Sequence, residues 1–243
     1  MITLLNKKVI SGFVIGIAAL PPIFWLSQND HVTAKDDFLA TNAFDKEHVA
    51  HLIKKQGKEK DYDLEHLTFQ IVDLDEDDDL ELVASAPGGT HLGNFFIFDK
   101  RKDSFLLVAE RSWHVSKDNL DRLKNNEALP YETKNHKKLF ETIEITGGSG
   151  VHLENVHIWY LDNGNFVEAW EGNLKTVNSF QNVYSATIAT YHMNADRLFY
   201  FSSSYNHSED DMTSVPIFTQ NTTVFRFDGS KFIELSNQHH EVN

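Results

Sequence analysis

Four aspartates alternate between two apolar runs of the chain, at Asp73, Asp75, Asp77 and Asp79. A short strand-like run, FQIV, precedes them, and apolar residues resume at Leu80. Aspartates at every second position direct several carboxylates toward one point when the backbone coils into a loop. Hard cations take roughly six to eight oxygen ligands, and Ca²⁺ is the commonest such ion in loops of this kind. The spacing therefore predicts a calcium-binding loop.

The loop does not have the pattern of an EF-hand, which requires a glycine at position six and a closing glutamate at position twelve. Counted from Asp73, these positions hold Asp78 and Ala84. The residues from Leu80 to Ala86 also have the composition of a strand and not of an exiting helix. The sequence therefore predicts an acidic loop between two strands.

The loop and the following LVASAP strand resemble the FG-GAP or VCBS type of repeat, the blade unit of integrin-like β-propellers. In that family an aspartate-rich calcium loop runs into a strand that ends in Gly-Ala-Pro. This chain departs from the pattern at Asp78, where the family prefers Gly, at Glu81, where it prefers Asp, and in lacking the Phe-Gly pair. The resemblance implies side-chain ligands at Asp73, Asp75, Asp77 and Glu81 and a carbonyl ligand at Asp79. The alternative is a solvated acidic turn that keeps a hairpin soluble.

A glycine-rich pattern occurs twice, as GGTHLGN from Gly88 and as GGSGVHLEN from Gly147. Each copy precedes an aromatic strand that ends in aspartate, and a degenerate third copy lies between Leu198 and Leu235. The strand-ending aspartates recur roughly every 65 residues, which is typical of a four-stranded propeller blade. They are Asp99, Asp162 and Asp228.

Three blades are fewer than the roughly four to eight that close a ring. The repeats must therefore close by an atypical route, pair with another copy or form an open β stack. The predicted fold is mainly β, with repeated antiparallel units, propeller-like or stacked, after an N-terminal helix.

Thirteen histidines suggest a transition-metal site as a second possibility. His91 and His152 occupy equivalent places in the two glycine-rich copies, and His157 lies close to the second. They support the alternative function, a periplasmic metal-dependent hydrolase acting on sugars or phosphoesters. A repeated H-L-x-N more often preserves a turn than a ligand pair, and no HExxH pattern or nucleophile motif is present. No catalytic residue is therefore predicted.

The N-terminal residues have the polarity of an export segment. Lys7 and Lys8 precede the uncharged run VISGFVIGIAALPPIFWLS. Residues 1–34 are therefore predicted to be a signal peptide or membrane anchor, which places the rest in the periplasm or outside the cell. The other predicted regions are a helical segment at 35–66, with a helix between Asp45 and Gly57, a β-repeat domain at 67–235 and a flexible tail at 236–243.

The composition limits the partners of the protein. The net charge of −14 argues against nucleic acid and anionic membrane surfaces, so membrane contact is expected only through an uncleaved N-terminal segment. The chain has no cysteine, which excludes disulfides and thiolate sites. The predicted function is an exported, non-catalytic binding protein with a structural calcium loop, recognising a protein partner at the cell envelope. A basic partner suits this charge, as for an acidic inhibitor or immunity-type protein.

Overall fold

The computed structural model describes residues 44–59, 61–77, 79–88, 92–102, 104–124, 129, 137–180, 183–208 and 215–242. The prediction of a mainly β fold is confirmed, with two antiparallel sheets and two helices in these residues. The helices are α1 (Lys46–Gln56) and α2 (Lys117–Lys124). The strands of the first sheet are β1 (Thr68–Val72), β2 (Glu81–Pro87), β3 (Gly93–Arg101) and β4 (Ser104–Arg111). Those of the second are β5 (Phe140–Gly148), β6 (Val151–Asp162), β7 (Asn165–Phe180), β8 (Val183–Asn194), β9 (Arg197–Ser208), β10 (Ile217–Phe227) and β11 (Phe232–Val242).

The first sheet has strand order β1-β2-β3-β4 and is covered on both faces. On one face, Leu82, Phe96 and Phe98 pack with Val49 and Ile53 of α1. The other face packs against α2 and the first strands of the second sheet. That cluster contains Val83, Phe95, Ile97, Leu120, Leu123, Phe140 and Trp159. Burial on both faces explains why β2 and β3 are nearly continuous apolar runs instead of alternating ones.

The second sheet is a meander of seven strands in chain order from β5 to β11. It bends so that side chains of β8 to β11 pack on β6 and β7, and Tyr160 donates from Oη to the carbonyl of Ser230 at 3.3 Å. This third core contains Ile158, Tyr160, Trp170, Leu198, Phe227 and Phe232. The predicted division into blades of similar size is not what these residues form, since one sheet of four strands is followed by one of seven.

The two glycine-rich copies have a common role in this topology. Each joins two antiparallel strands, β2 to β3 and β5 to β6. In the second copy, Ser149 and Gly150 form the turn with φ of 48° and 93°. A left-handed turn of this kind matches the twist of the flanking strands.

The C-terminal residues differ from the prediction. Residues 236–243 were expected to fray, but β11 continues to Val242 because it pairs with β10 along most of its length. The polar side chains from Ser236 to Glu241 are tolerated because β11 is the outermost strand of the sheet and its side chains are exposed.

Local signals set the helix ends. The side chain of Asp45 accepts a hydrogen bond from the backbone N–H of His48 at 2.8 Å and caps α1, and Gly57 follows its last residue. Ser116 does the same for α2, accepting from the N–H of Asn119 at 3.3 Å. Among the described residues, neither helix is long and apolar enough to cross a membrane. The predicted signal or anchor segment, residues 1–34, lies outside the described residues.

Candidate metal centre

The aspartate-rich loop is held at both ends by the first sheet. It connects β1 to β2, and Val72 pairs with Glu81 where the two strands diverge. Leu74 and Leu80 are buried on either side of the acidic residues, and Leu74 joins the core between the sheets. Asp73 and Asp75 directly flank Leu74, and Glu81 directly follows Leu80. The burial of these two leucines therefore limits how far the three carboxylates can separate.

Three carboxylates converge at the base of this loop. Oxygen atoms of Asp73, Asp75 and Glu81 all lie within 4.8 Å of one another. Asp73 also accepts a hydrogen bond at Oδ1 from the backbone N–H of Glu76, at 2.8 Å. The carboxylates therefore come from both ends of the loop: Asp73 and Asp75 are the first and third residues after β1, and Glu81 is the first residue of β2.

Glu81 is the most unusual member, because its exposed fraction is 0%. Its Oε2 accepts a hydrogen bond from the backbone N–H of Leu74 at 2.5 Å, whereas its Oε1 is buried with no hydrogen-bond partner in the described part of the chain. Oδ1 of Asp75 is also buried and has no hydrogen-bond partner among the described residues. Most buried polar atoms in proteins have a partner. The two unpartnered oxygens are therefore available to coordinate a cation.

The electrostatics of the cluster favour an added positive charge. Burial raises the pKa of Glu81 to about 8, and the negative charges of Asp75, Asp77 and Asp73 raise it further, against the lowering effect of the Leu74 N–H. Burial also raises the pKa of Asp75 to about 6, with Asp77, Asp99 and Asp73 contributing in the same direction. Without a cation, both carboxyls keep their protons to a higher pH than they would in water.

The other predicted ligands lie at the edge of this cluster. Asp77 is next to Asp75, and its Oδ1 accepts a hydrogen bond from the backbone N–H of Asp79 at 3.0 Å. The backbone turns at Glu76, which has φ of 61°, and Asp78 lies outside the described residues. The structure thus brings Asp73, Asp75 and Glu81 together and leaves Asp77 beside them.

A cavity of about 180 Å³ opens beside the loop, toward the second sheet. Asp75 and Asp77 line one side, and Lys137, Lys138 and Asn163 line another. Lys138 forms an ion pair with Glu76 at 2.6 Å, and Lys137 forms one with Asp162. The loop therefore lies where the two sheets meet.

Sequence reasoning did not assign Asp99 and Gly164 to this region. Asp99 is buried at the end of β3, accepts from Nε of Arg101 at 2.9 Å and adds its charge to Asp75. Gly164 lies in the β6–β7 turn with φ of +68°, and a Cβ there would come within 2.5 Å of Oδ2 of Asp99. The recurring aromatic strand that ends in aspartate was the available signal, because it marks the two hairpin ends that meet here.

A second group of ionisable residues surrounds His157. Its ring stacks on Trp113 with centroids 3.8 Å apart, Nδ1 lies 2.7 Å from Oε1 of Glu168, and Nε2 lies 3.4 Å from Oε2 of Glu144. Burial alone lowers the pKa of His157, but the hydrogen bonds that its ring donates to Glu144 and Glu168 raise it overall. Both ring nitrogens of His157 have carboxylate partners. The hydrogen bonds and charges of this buried group are therefore balanced within the group itself.

The predicted histidine pair is not assembled by the described residues. His91 lies outside them. His152 pairs with Glu154 at 2.6 Å, and it does not join the group of His157, Glu168 and Glu171 that the described residues place within metal-binding distance of one another.

The ligand atoms that the acidic loop offers are the kind that hard cations prefer. All of its donors are carboxylate or backbone oxygens, two of them are buried and unpartnered, and the nearest nitrogen ligands belong to other parts of the fold. Comparisons with models of protein families, with curated proteins and with solved structures find no match to this chain.

Proposed function

We propose that this chain is an exported, non-catalytic binding protein whose aspartate-rich loop holds a structural Ca²⁺ ion, similar to FG-GAP and VCBS modules. The observation that carries the proposal is the fully buried side chain of Glu81, which has an unpartnered Oε1 and lies in one carboxylate cluster with Asp73 and Asp75. A buried, unpartnered carboxylate destabilises a fold unless a cation or a proton neutralises it.

The ion would act on the junction between the two sheets. Calcium would neutralise the carboxylates of Asp73, Asp75 and Glu81, with Asp77 at the rim, and so remove the repulsion that opposes the turn. Because Leu74 belongs to the core between the sheets, a rigid loop also fixes how β1 and β2 pack on that core. The expected role is therefore stabilisation and positioning, with no chemical step.

The proposal is tested by thermal unfolding in EDTA, in millimolar CaCl₂ and in millimolar MgCl₂. We expect calcium to raise the melting temperature of the wild type, and Asp75→Asn to abolish most of that increase. Asp228→Asn is the matched control, since Asp228 also accepts backbone N–H bonds in a turn but lies in a different hairpin. Equal melting temperatures of the wild type in EDTA and calcium would overturn the role.

The partner that we propose is a basic protein at the cell envelope. The net charge of −14 supports it, because complementary charge accelerates association and discriminates among partners. Purified protein immobilised in low salt should capture basic envelope proteins and release them as the ionic strength rises. Recovery of no basic protein would count against this partner while leaving the calcium site untouched.

A further inference from the structure

The outer face of β8 to β11 is an exposed surface with an unusual composition. Strand registers place alternate residues of these four strands on the side that faces away from the third core. The exposed side chains of this outer face include Tyr184, Ile188, Phe201, Ser203, Phe218, Gln220 and Gln238. Ile188 is 65% exposed and Phe218 is 50% exposed. Large apolar side chains thus stand in solvent on a surface where polar ones are usual.

The outer face has no carboxylate among the described residues of β8 to β11, in a chain with 36 acidic residues. Glu234 and Glu241 of β11 fall on the opposite face by the same registers. The charged residues of the outer face are Arg197 and Arg226, which pair with each other in register at one end of the strands. Depletion of charge together with enrichment of aromatic residues is typical of the centre of a protein interface.

The ring geometry argues against a flat stacking platform for sugars. The rings of Tyr184 and Tyr205 are inclined by 60°, and those of Tyr205 and Phe218 by 58°. Rings at such angles do not present one plane to a sugar. They form ridges and hollows, which suit interdigitation with the side chains of another sheet.

We propose that the outer face of β8 to β11 packs against the same face of a second copy of this chain. Two copies with a net charge of −14 each repel one another over most of their surfaces, and this face is where both can approach without opposing carboxylates. Packing of one face on itself gives a twofold interface, so each residue of the face contributes twice. The association does not depend on the proposed calcium site, because the residues that line that site belong to the acidic loop and to the part of the second sheet around the β6–β7 turn, not to β8 to β11.

The area is sufficient for a dimer of modest affinity. Four strands at about 4.8 Å spacing and about nine residues at roughly 3.3 Å each give a sheet face of roughly 19 Å by 30 Å. The two copies together would bury on the order of 1,100 Å², just above the roughly 1,000 Å² expected of a specific interface. We therefore expect a dissociation constant on the order of micromolar.

Sedimentation velocity of the purified protein across concentrations up to about 100 µM tests the proposal. The wild type should shift from monomer to dimer, and added NaCl should strengthen the dimer because it screens the repulsion between the acidic copies. Phe218→Asp and Ile188→Asp should each weaken association by about a hundredfold, since the new charge appears on both sides of the interface.

Ile217→Asp is the matched control. Ile217 is adjacent to Phe218 in β10 and 56% exposed, but it lies on the opposite face, so its substitution should leave the dimer intact. Circular dichroism verifies that every variant is folded. A wild type that stays monomeric over the whole range, or a dimer that Ile217→Asp disrupts as strongly as Phe218→Asp does, would overturn the proposal. If the monomer instead binds neutral vesicles or insoluble polysaccharide through this face, the proposal is overturned, and the membrane or the polysaccharide is the partner of the outer face.

Discussion

In calcium-free buffer, the stability of this protein should fall as the pH rises from 5 to 8.5. In the folded protein the pKa of Glu81 is raised to about 8 from its ordinary value of 4.5, chiefly by burial. The folded state therefore binds more protons than the unfolded state between these two values. Stability from this group is fully present below the unfolded pKa and is lost as the pH rises through the folded one. Asp75, with a pKa of about 6, adds an effect of the same sign at lower pH.

The size of the effect follows from the shift at Glu81. Ionising this fully buried carboxyl between pH 5 and pH 8.5 would reduce the free energy of unfolding by on the order of 4 kcal/mol. For a chain of this size, that corresponds to a decrease in melting temperature on the order of 10 °C. Saturating calcium should remove most of the decrease, because the ion stabilises the carboxylate form.

The assay is differential scanning fluorimetry at pH 5 and at pH 8.5, in EDTA and in calcium, for the wild type and for Glu81→Gln. At pH 8.5 in EDTA the variant should be more stable than the wild type, since it buries no charge, yet it should gain little from calcium. His157 also has a raised pKa and contributes a pH dependence of the same sign, but it is present in both proteins and cancels in the difference. Glu234→Gln, an exposed site on β11, controls for loss of a carboxylate.

The outcome that would refute this reasoning is specific. If Glu81→Gln is less stable than the wild type at pH 8.5 in EDTA, the ionised side chain stabilises the fold and the buried carboxylate does not need a cation. A wild-type melting temperature in EDTA that rises over this pH range faster than that of Glu81→Gln would have the same meaning.

Three further predictions concern the turn beside the loop, the buried histidine and the packing of α1. Gly164→Ala should destabilise the protein by about 1 to 3 kcal/mol, measured by urea denaturation. The added methyl group would clash with Oδ2 of Asp99, and alanine is strained at this left-handed backbone conformation. No change in stability would show that the turn moves freely. His157→Leu should cost about 3 kcal/mol at pH 5.5, and the cost should decrease as the pH rises through the raised pKa of His157, since the ion pair with Glu168 is lost when the histidine deprotonates. A cost that increases with pH would contradict the assigned charge. Ile53→Ala should cost about 2 to 5 kcal/mol, measured by urea denaturation, if the packing of α1 on the first sheet is part of the cooperative fold.

The local features of the fold were predictable where a short pattern determines them. The cap at Asp45, the strand that begins at Glu81 and the acidic loop before it depend on neighbouring residues, and the sequence contains all of them. Burial of β2 and β3 on both faces leaves an apolar run that also marks them as strands.

The arrangement of the strands was not predictable in the same way. The recurring aromatic strand that ends in aspartate suggested blades of equal size. The strands after Leu139 instead pair in one continuous meander. The number of strands in a sheet depends on long-range pairing, which no local sequence pattern determines. The polar tail after Ser236 lacked an apolar alternation, so its pairing with β10 was missed. The complete burial of Glu81 was missed for a related reason, since it depends on Leu74 and the second sheet closing over the loop.

Isothermal titration calorimetry of CaCl₂ into chelator-stripped protein at pH 7.5 tests the central claim most directly. The account predicts one calcium ion per chain with a dissociation constant of roughly 10⁻⁴ M or tighter, binding that Asp75→Asn and Glu81→Gln each weaken strongly, and little competition from magnesium. Absence of binding at millimolar calcium, or equal binding by the wild type and both variants, would contradict it.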